Sequence, residues 1–378
     1  VRRLIPIAVE LRALGHEVTI VLRDSAFLEM ARSAGFESFI APLLRTPPMV
    51  NPSPLNFSDV LLNLGFDDRR GLAGALRGWR SLFELLAPDA IVADYAPTAL
   101  IAGREAGIPR VTVGSGFSVP PLRDPLPALR PWAAADPRVL RALDDRLVAS
   151  VRAALGARGP VQHARDLFEA SAHLLCTFPE IDPFGPRDDV EYVGPQGDAT
   201  SGADVRWNTT SGARVFAYLK PRNPRFEAVL AGLRALDAEV IVAAPGLASE
   251  QAQAASGARM RVVGAAVNLD LVLPAASLCV AHAGPGLAAR ALAAGVPMAL
   301  LPLQLEQFLI ARRIVAGGSA ATVSPEEAAP DFGEWFVSLL GRADLREAAE
   351  RHAAAHRGHS FAAATQRAAE RIAAVASS

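Results

Sequence analysis

Apolar positions along this chain fall into two alternating patterns, one at helical spacing and one of short unbroken runs. Leu4, Ile7, Ala8, Leu11 and Leu14 share one helical face, and Gly15 supplies the stop after it. Residues 18–22 then read as a strand. Residues 26–34 read as a helix ended by Gly35, and Phe39-Ile40 begins the next extended piece. A helix over 72–86 ends near Pro88. Ala90-Ile91-Val92-Ala93 is wholly apolar, as a strand buried on both faces of a parallel sheet must be. A helix over 98–106 stops at Gly107, and strands follow at 110–113 and 173–178. The stretches 42–58 and 114–137 are rich in Pro, Gly, Ser and Asn and read as long loops, which in compact domains tend to serve function.

A second series repeats the first. Strands are predicted at 214–219, 239–243, 261–263, 278–281 and 298–301, the last of the series. Helices are predicted at 225–236, 269–273, 307–316, 332–340, 344–356 and 361–376. The alternation predicts an α/β chain of two Rossmann-like, doubly wound domains facing a cleft, with ligand at the C-terminal ends of the strands. The expected division is 1–195, a polar glycine-rich linker at 196–212, a second domain at 213–358, and a terminal segment, 359–378, packing back towards the first domain. Doubly wound domains open on a strand, whereas this sequence opens on a helix. A preceding strand and loop are therefore expected to be missing.

The stretch with the most chemistry is Val280-Ala281-His282-Ala283-Gly284-Pro285-Gly286-Leu287. A strand, a glycine turn and a helix start in that order make an anion site. First-turn N–H groups lack carbonyl partners, and the helix dipole adds partial positive charge. Gly284 and Gly286 let a phosphate approach the backbone, and Pro285 suits the first helical position. Downstream, Glu306-Gln307 follows the buried run 298–302 and offers acceptors and donors for vicinal hydroxyls, or a cap for its own helix.

At these residues the chain resembles the UDP-glycosyltransferases of the GT-B fold. Their donor signature is His-Gly-Gly-x-Gly-Thr, then Gly-Val-Pro, then Asp/Glu-Gln. Here it stands as His282-Ala283-Gly284-Pro285-Gly286-Leu287, Gly295-Val296-Pro297, Pro302 and Glu306-Gln307. Ala283 replaces a glycine, and Leu287 replaces a hydroxyl residue. The resemblance implies that His282, Gly284, Gly286 and Leu287 lie at the donor diphosphate. It places Glu306 and Gln307 at the sugar hydroxyls. It also implies transfer of a hexose from a nucleotide diphosphate, a UDP-sugar foremost, to a small apolar acceptor. The transfer would invert the sugar carbon without metal or further cofactor.

In that family an aspartate after a strand orients a histidine base, which Asp94 matches; capping the next helix is the other reading of Asp94. The histidine belongs to a Gly-His loop, and Val1-Arg2-Arg3-Leu4-Ile5-Pro6 resembles the segment just after it, so the base is expected to be missing from this chain. His16 matches the turn before the next strand and reads as structural. Lys220 and Arg222 stand where relatives carry serine and glycine. They offer charge to a diphosphate or form a solvated loop. The aromatic-Pro-Gln segment that stacks uracil in relatives is not found around Gly264-Ala265-Ala266-Val267. Arg290 reads as a solvated helix residue. Two other readings stay open: a nucleotide-sugar binder without transfer, and a GT-B epimerase of nucleotide sugars.

Composition trims the picture. Net charge is −1 over 378 residues, which gives no electrostatic case for nucleic acid. Cys176 and Cys279 sit in apolar runs and read as buried thiols of a reducing, cytoplasmic setting. No apolar stretch reaches the roughly 18 residues of a membrane span, and no spacing of Cys and His suggests a metal site.

Overall fold

Every pairing between strands is parallel among the described residues. The computed structural model describes residues 3–46, 51–133, 135–156, 161–197 and 202–377. Val1 and Arg2, residues 47–50 and 134 of the two expected loops, and 198–201 of the expected linker lie outside them. The chain divides into two compact units: Val1–Cys176 with Arg187–Val193 and Ala363–Ser378, and Thr177–Pro186 with Gly194–Ala362.

Among its described residues the first unit holds six strands in two sheets. β1 (Ile20–Leu22) pairs with β2 (Ser38–Ile40). β3 (Ile91–Ala93), β4 (Arg110–Gly114), β5 (Ala172–Leu175) and β6 (Glu191–Tyr192) form the other sheet in that order. Its helices are α1 (Leu4–Ala13), α2 (Leu28–Ser33), α3 (Phe57–Leu61), α4 (Arg69–Leu86), α5 (Pro97–Glu105) and α6 (Pro137–Leu155). In α4, Leu72, Ala75, Leu76, Trp79 and Phe83 are buried at helical spacing. Asp68 caps its start by accepting the Arg70 and Gly71 N–H groups. The helix α6 falls where the sequence suggested no element. It is fixed to the end of the first expected loop by the buried Asp144. That carboxylate accepts Ser58 Oγ at 2.6 Å, Asn56 Nδ2 at 2.8 Å and the Leu126 N–H at 2.8 Å.

In the second unit one six-stranded sheet is built from β7 (Ala213–Tyr218), β8 (Ala238–Ala243), β9 (Met260–Val263), β10 (Leu278–Ala281), β11 (Met298–Leu300) and β12 (Ala320–Thr322). Their spatial order is β12-β11-β10-β7-β8-β9. The chain thus runs outward from β7 to β9, returns, and runs outward again on the other side. This is the doubly wound order, and the reversal falls between β7 and β10. Alternate residues feed two cores. Val215, Ala217, Leu278 and Val280 face one side, and Phe216, Cys279 and Ala281 the other. That is why these strands are apolar without a break. The edge strand β12 follows 298–301, so that run is not the last strand. Its small residues, Ala320, Ala321 and Thr322, carry little strand signal.

Around this sheet lie α7 (Phe226–Arg234), α8 (Ser249–Ala255), α9 (Leu269–Val272), α10 (Pro285–Ala293), α11 (Leu305–Ala316), α12 (Phe332–Leu340) and α13 (Ala343–Ala355). The final helix, α14 (Phe361–Ala376), returns the chain to the first unit. There Ala368, Ala369, Ile372 and Val375 share a core with Ile7, Leu11, Val111 and Leu174. No helix is long and apolar enough to cross a membrane among the described residues. Burial pushes the Cys176 thiol up to about 11 and the Cys279 thiol up to about 12.

Candidate donor-binding site

The site grows from the reversal point of the second sheet. Three strand ends meet there, and one imidazole ties them together. His282 follows β10 and is 3% exposed. Its Nδ1 lies 2.8 Å from the Leu301 carbonyl at the end of β11, and its Nε2 receives the Lys220 N–H at 3.1 Å at the end of β7. A carbonyl can only accept and a backbone N–H can only donate. The proton therefore sits on Nδ1 and Nε2 presents its lone pair. Burial holds the ring below the ordinary histidine pKa; the Leu301 contact opposes this, and the Lys220 charge adds to it. His282 is a neutral brace whose two nitrogens are both engaged by backbone.

The next residue, Ala283, is fully buried with φ +56°. A left-handed conformation costs an L-residue about 1–2 kcal/mol. The turn keeps it because the His282 bonds before it and the helix after it fix the path. Gly284 is the N-cap of α10, with no side chain bonded across the helix start, and Pro285 is the first helical residue. Neither Gly284 nor Gly286 has positive φ, and a Cβ on either would meet nothing within 4 Å. Turn geometry does not require these glycines. What their missing side chains give is open room in front of the first-turn N–H groups of Gly286 and Leu287. Leu287 itself turns inward against the core.

The flanking loops carry the other candidates. Lys220 and Arg222 are exposed, and neither side chain has a carboxylate partner among the described residues. Gln307 is buried, and its Oε1 accepts the Leu303 N–H at 2.8 Å, closing the loop into α11. Glu306 is half-buried in the first turn of α11, where a negative charge suits the helix dipole. Because Leu301 is held by His282, this loop is tethered beside the glycine turn.

Arg290 is not a solvated residue. It is 8% exposed, donates to Gly197 O at 3.0 Å and Asp270 Oδ1 at 3.3 Å, and lies 4.1 Å over the Phe361 ring. A cavity of about 530 Å³ beside it is lined by residues including Asp270, Gly295, Glu350 and His356. None of the glycine-turn residues line it, so its size marks no chemistry at the turn.

In the first unit, Asp94 follows β3, and its Oδ1 accepts from Arg3 Nη1 at 3.0 Å. It does not cap α5, whose N-cap is Ala96 with no side-chain bond. Tyr95 behind it has φ +53°. Two of the strand ends that carry candidate chemistry, β3 and β10, are thus followed by a strained left-handed residue, as sites often are. Arg3 was not singled out from the sequence; nothing in its local pattern marks an ion pair 91 residues away.

Residues 227–362 match the model of the erythromycin biosynthesis protein CIII-like C-terminal domain. That span lies within the second unit. It holds the glycine turn and Glu306-Gln307 but not Lys220 or Arg222. The chain as a whole has the GT-B fold. It superposes on the calicheamicin glycosyltransferase CalG4 at TM-score 0.72 and 20% identity, covering 99% of this chain and 94% of that one. Glycosyltransferase VinC in complex with dTDP gives 0.70 at 17% identity, covering 100% and 96%. The spinosyn rhamnosyltransferase SpnG complexed with thymidine diphosphate gives 0.66 at 20% identity, covering 98% and 96%. No curated protein sequence matches. The resemblance read from His282 to Gln307 is borne out at the level of the fold.

Proposed function

We propose that this protein is a glycosyltransferase that moves a hexose from a nucleoside diphosphate to a hydroxyl of a small apolar acceptor. One observation carries the reading: an uncapped helix start, fronted by two glycines that nothing in the turn requires, sits at the reversal point of a doubly wound sheet. Such a start receives a diphosphate and stabilises the charge that develops as it leaves. Lys220 and Arg222 add cationic charge from the neighbouring loop. With that charge supplied by protein, the displacement needs neither metal nor cofactor, and a single in-line attack inverts the sugar carbon. Glu306 is assigned to the sugar hydroxyls. His282 holds the three loops in register, and Asp94 is assigned to position the group that activates the acceptor. The buried thiols fit a cytoplasmic setting.

The family resemblance favours uridine as the base. The thymidine diphosphate named with VinC and SpnG favours thymidine instead, and we adopt it for the test. Calorimetry with dTDP and UDP, followed by product analysis with a dTDP-hexose and a panel of polyketide and flavonoid alcohols, decides the matter. Glycosylated acceptor with inverted anomeric configuration supports the proposal. Nucleotide binding with no product supports the binding-only reading, and an epimerised sugar nucleotide supports the epimerase reading.

A further inference from the structure

A second cluster of ligand-type side chains lies away from the glycine turn. His352, in the last turn of α13, and His356, the C-cap of that helix, are four residues apart and share one face. Glu180 faces them from the single helical turn Pro179–Ile181. One ligand atom from each of the three lies within 4.8 Å of the others. Glu180 Oε1 and His356 Nε2 are 3.0 Å apart. The Phe178 ring packs against both imidazoles, with centroids 4.0 Å from His356 and 5.4 Å from His352. Arg313 Nε donates to the Glu180 carbonyl at 3.2 Å and fixes that turn. A plain ion pair explains Glu180 with His356. It does not explain His352, whose Nε2 is buried with no hydrogen-bond partner. An unpaired buried polar atom costs about 1–3 kcal/mol.

We propose that Glu180, His352 and His356 form a binding site for a divalent transition metal, zinc foremost. Two imidazoles and one carboxylate suit Zn²⁺, whereas Mg²⁺ and Ca²⁺ prefer all-oxygen shells. Ligand atoms at about 2.0–2.1 Å around a tetrahedral ion lie about 3.3 Å from one another. The Glu180–His356 pair at 3.0 Å already lies close to that spacing, and the His352 ligand atom, within 4.8 Å of both, closes the remaining gap by side-chain movement. The ion takes the place of the proton between His356 Nε2 and Glu180, leaving the ring protonated at Nδ1 alone, with any surplus proton passing to water. Half-exposed Glu180 leaves the fourth position open to water. His359 is not a fourth ligand, because its Nε2 is paired with the Pro195 carbonyl at 2.9 Å.

The site is structural in this reading and independent of sugar transfer. Gly295, just past the C-terminal end of α10, lies against Glu350 and Ala353 of α13. The glycine turn is at the other end of α10, about 13 Å away for nine residues. A bound ion would clamp the Thr177–Pro186 segment to α13, both within the second unit.

The test uses tag-free protein stripped with a chelator. It is titrated with ZnCl₂ by calorimetry and with CoCl₂ by visible absorption. One equivalent of Zn²⁺ per chain, intense tetrahedral Co²⁺ bands and a higher melting temperature with Zn²⁺ are expected, with no response to MgCl₂. Glu180→Gln and His356→Gln should each weaken Zn²⁺ binding more than about 100-fold, beyond what loss of an outer partner costs, with unchanged circular dichroism. Glu180 is exposed enough that its variant folds whatever becomes of His356. Absence of saturable one-to-one binding, or binding that survives both substitutions, overturns the site.

Discussion

The backbone N–H of Lys220 donates to His282 Nε2 at 3.1 Å, across the seam where the strand order of the second sheet reverses. One side chain thereby sets the spacing of two loops that are 62 residues apart in sequence. With Leu301 as its second partner, His282 joins the ends of β7, β10 and β11.

His282→Ala should therefore act on folding as well as on ligand. It leaves the Lys220 N–H and the Leu301 carbonyl without their partner, at about 2–4 kcal/mol for the two together. Urea unfolding measures that loss. An unchanged midpoint would mean that water replaces the ring and that the brace carries little energy.

Gly286→Ala separates room for a ligand from the needs of the fold. The φ of Gly286 is negative and a Cβ there meets open space. Alanine in the first helical turn should raise stability by up to about 1 kcal/mol. The same methyl intrudes where a diphosphate would approach, so dTDP affinity should fall about tenfold or more, that is by 1.4 kcal/mol or more. Calorimetry and thermal unfolding on one sample check both signs. Unaltered affinity would remove the glycine turn from the donor site.

Glu306 and Gln307 should part company under substitution. Gln307→Ala frees the Leu303 N–H and should cost about 1 kcal/mol of stability. Glu306→Ala should leave stability within about 0.5 kcal/mol and weaken a sugar nucleotide while sparing the plain nucleotide. If nucleotide and sugar nucleotide weaken alike, Glu306 does not read the sugar.

Much of this was legible in the sequence. Runs such as Leu278-Cys279-Val280-Ala281 have no polar face because helices cover both sides of the sheet, and such strands announce themselves. The glycine turn was legible because strand, glycine and helix start are contiguous. The edge strand Ala320–Thr322 was not, since its small residues satisfy no pattern. α6 was readable in principle: Leu140, Leu147, Val148, Val151 and Leu155 repeat at helical spacing, with the buried Asp144 breaking the stripe. Pairings made only in three dimensions left no local trace. Arg3 with Asp94, Arg290 with Asp270 and Glu180 with His356 belong to this group. For the last, the i and i+4 spacing of His352 and His356 is present in the sequence, but nothing in it announces Glu180 as their neighbour.

The Arg3–Asp94 pair sets up a kinetic prediction. A guanidinium cannot accept a proton at physiological pH, so Arg3 is no base. The pair is partly shielded, at 23% and 18% side-chain exposure, and its removal should cost about 1 kcal/mol or less. Asp94→Asn should lower kcat of transfer by about 10²-fold or more, the lower end of what positioned proton transfer supplies, and leave the donor KM unchanged. A change in stability alone would assign Asp94 to structure.

Acid should loosen the fold through its buried histidines. His173 is on β5, its Nδ1 2.7 Å from Thr112 Oγ1 on the neighbouring β4, and burial holds its pKa below the ordinary 6.5, with Arg187 adding to the effect. Burial does the same to His282 and to His352. A group whose folded pKa is depressed takes up its proton more readily when unfolded. Its contribution is fully present above the unfolded value of 6.5 and is lost as pH falls towards the folded one. Urea stability should be flat above pH 7 and should decline as pH drops through 6.5. The double variant His173→Gln, His282→Gln should be less stable at pH 8, because it lacks the imidazole contacts, yet should lose less between pH 7 and pH 5 than the wild type. Parallel pH profiles for the two proteins would show that the acid sensitivity lies elsewhere.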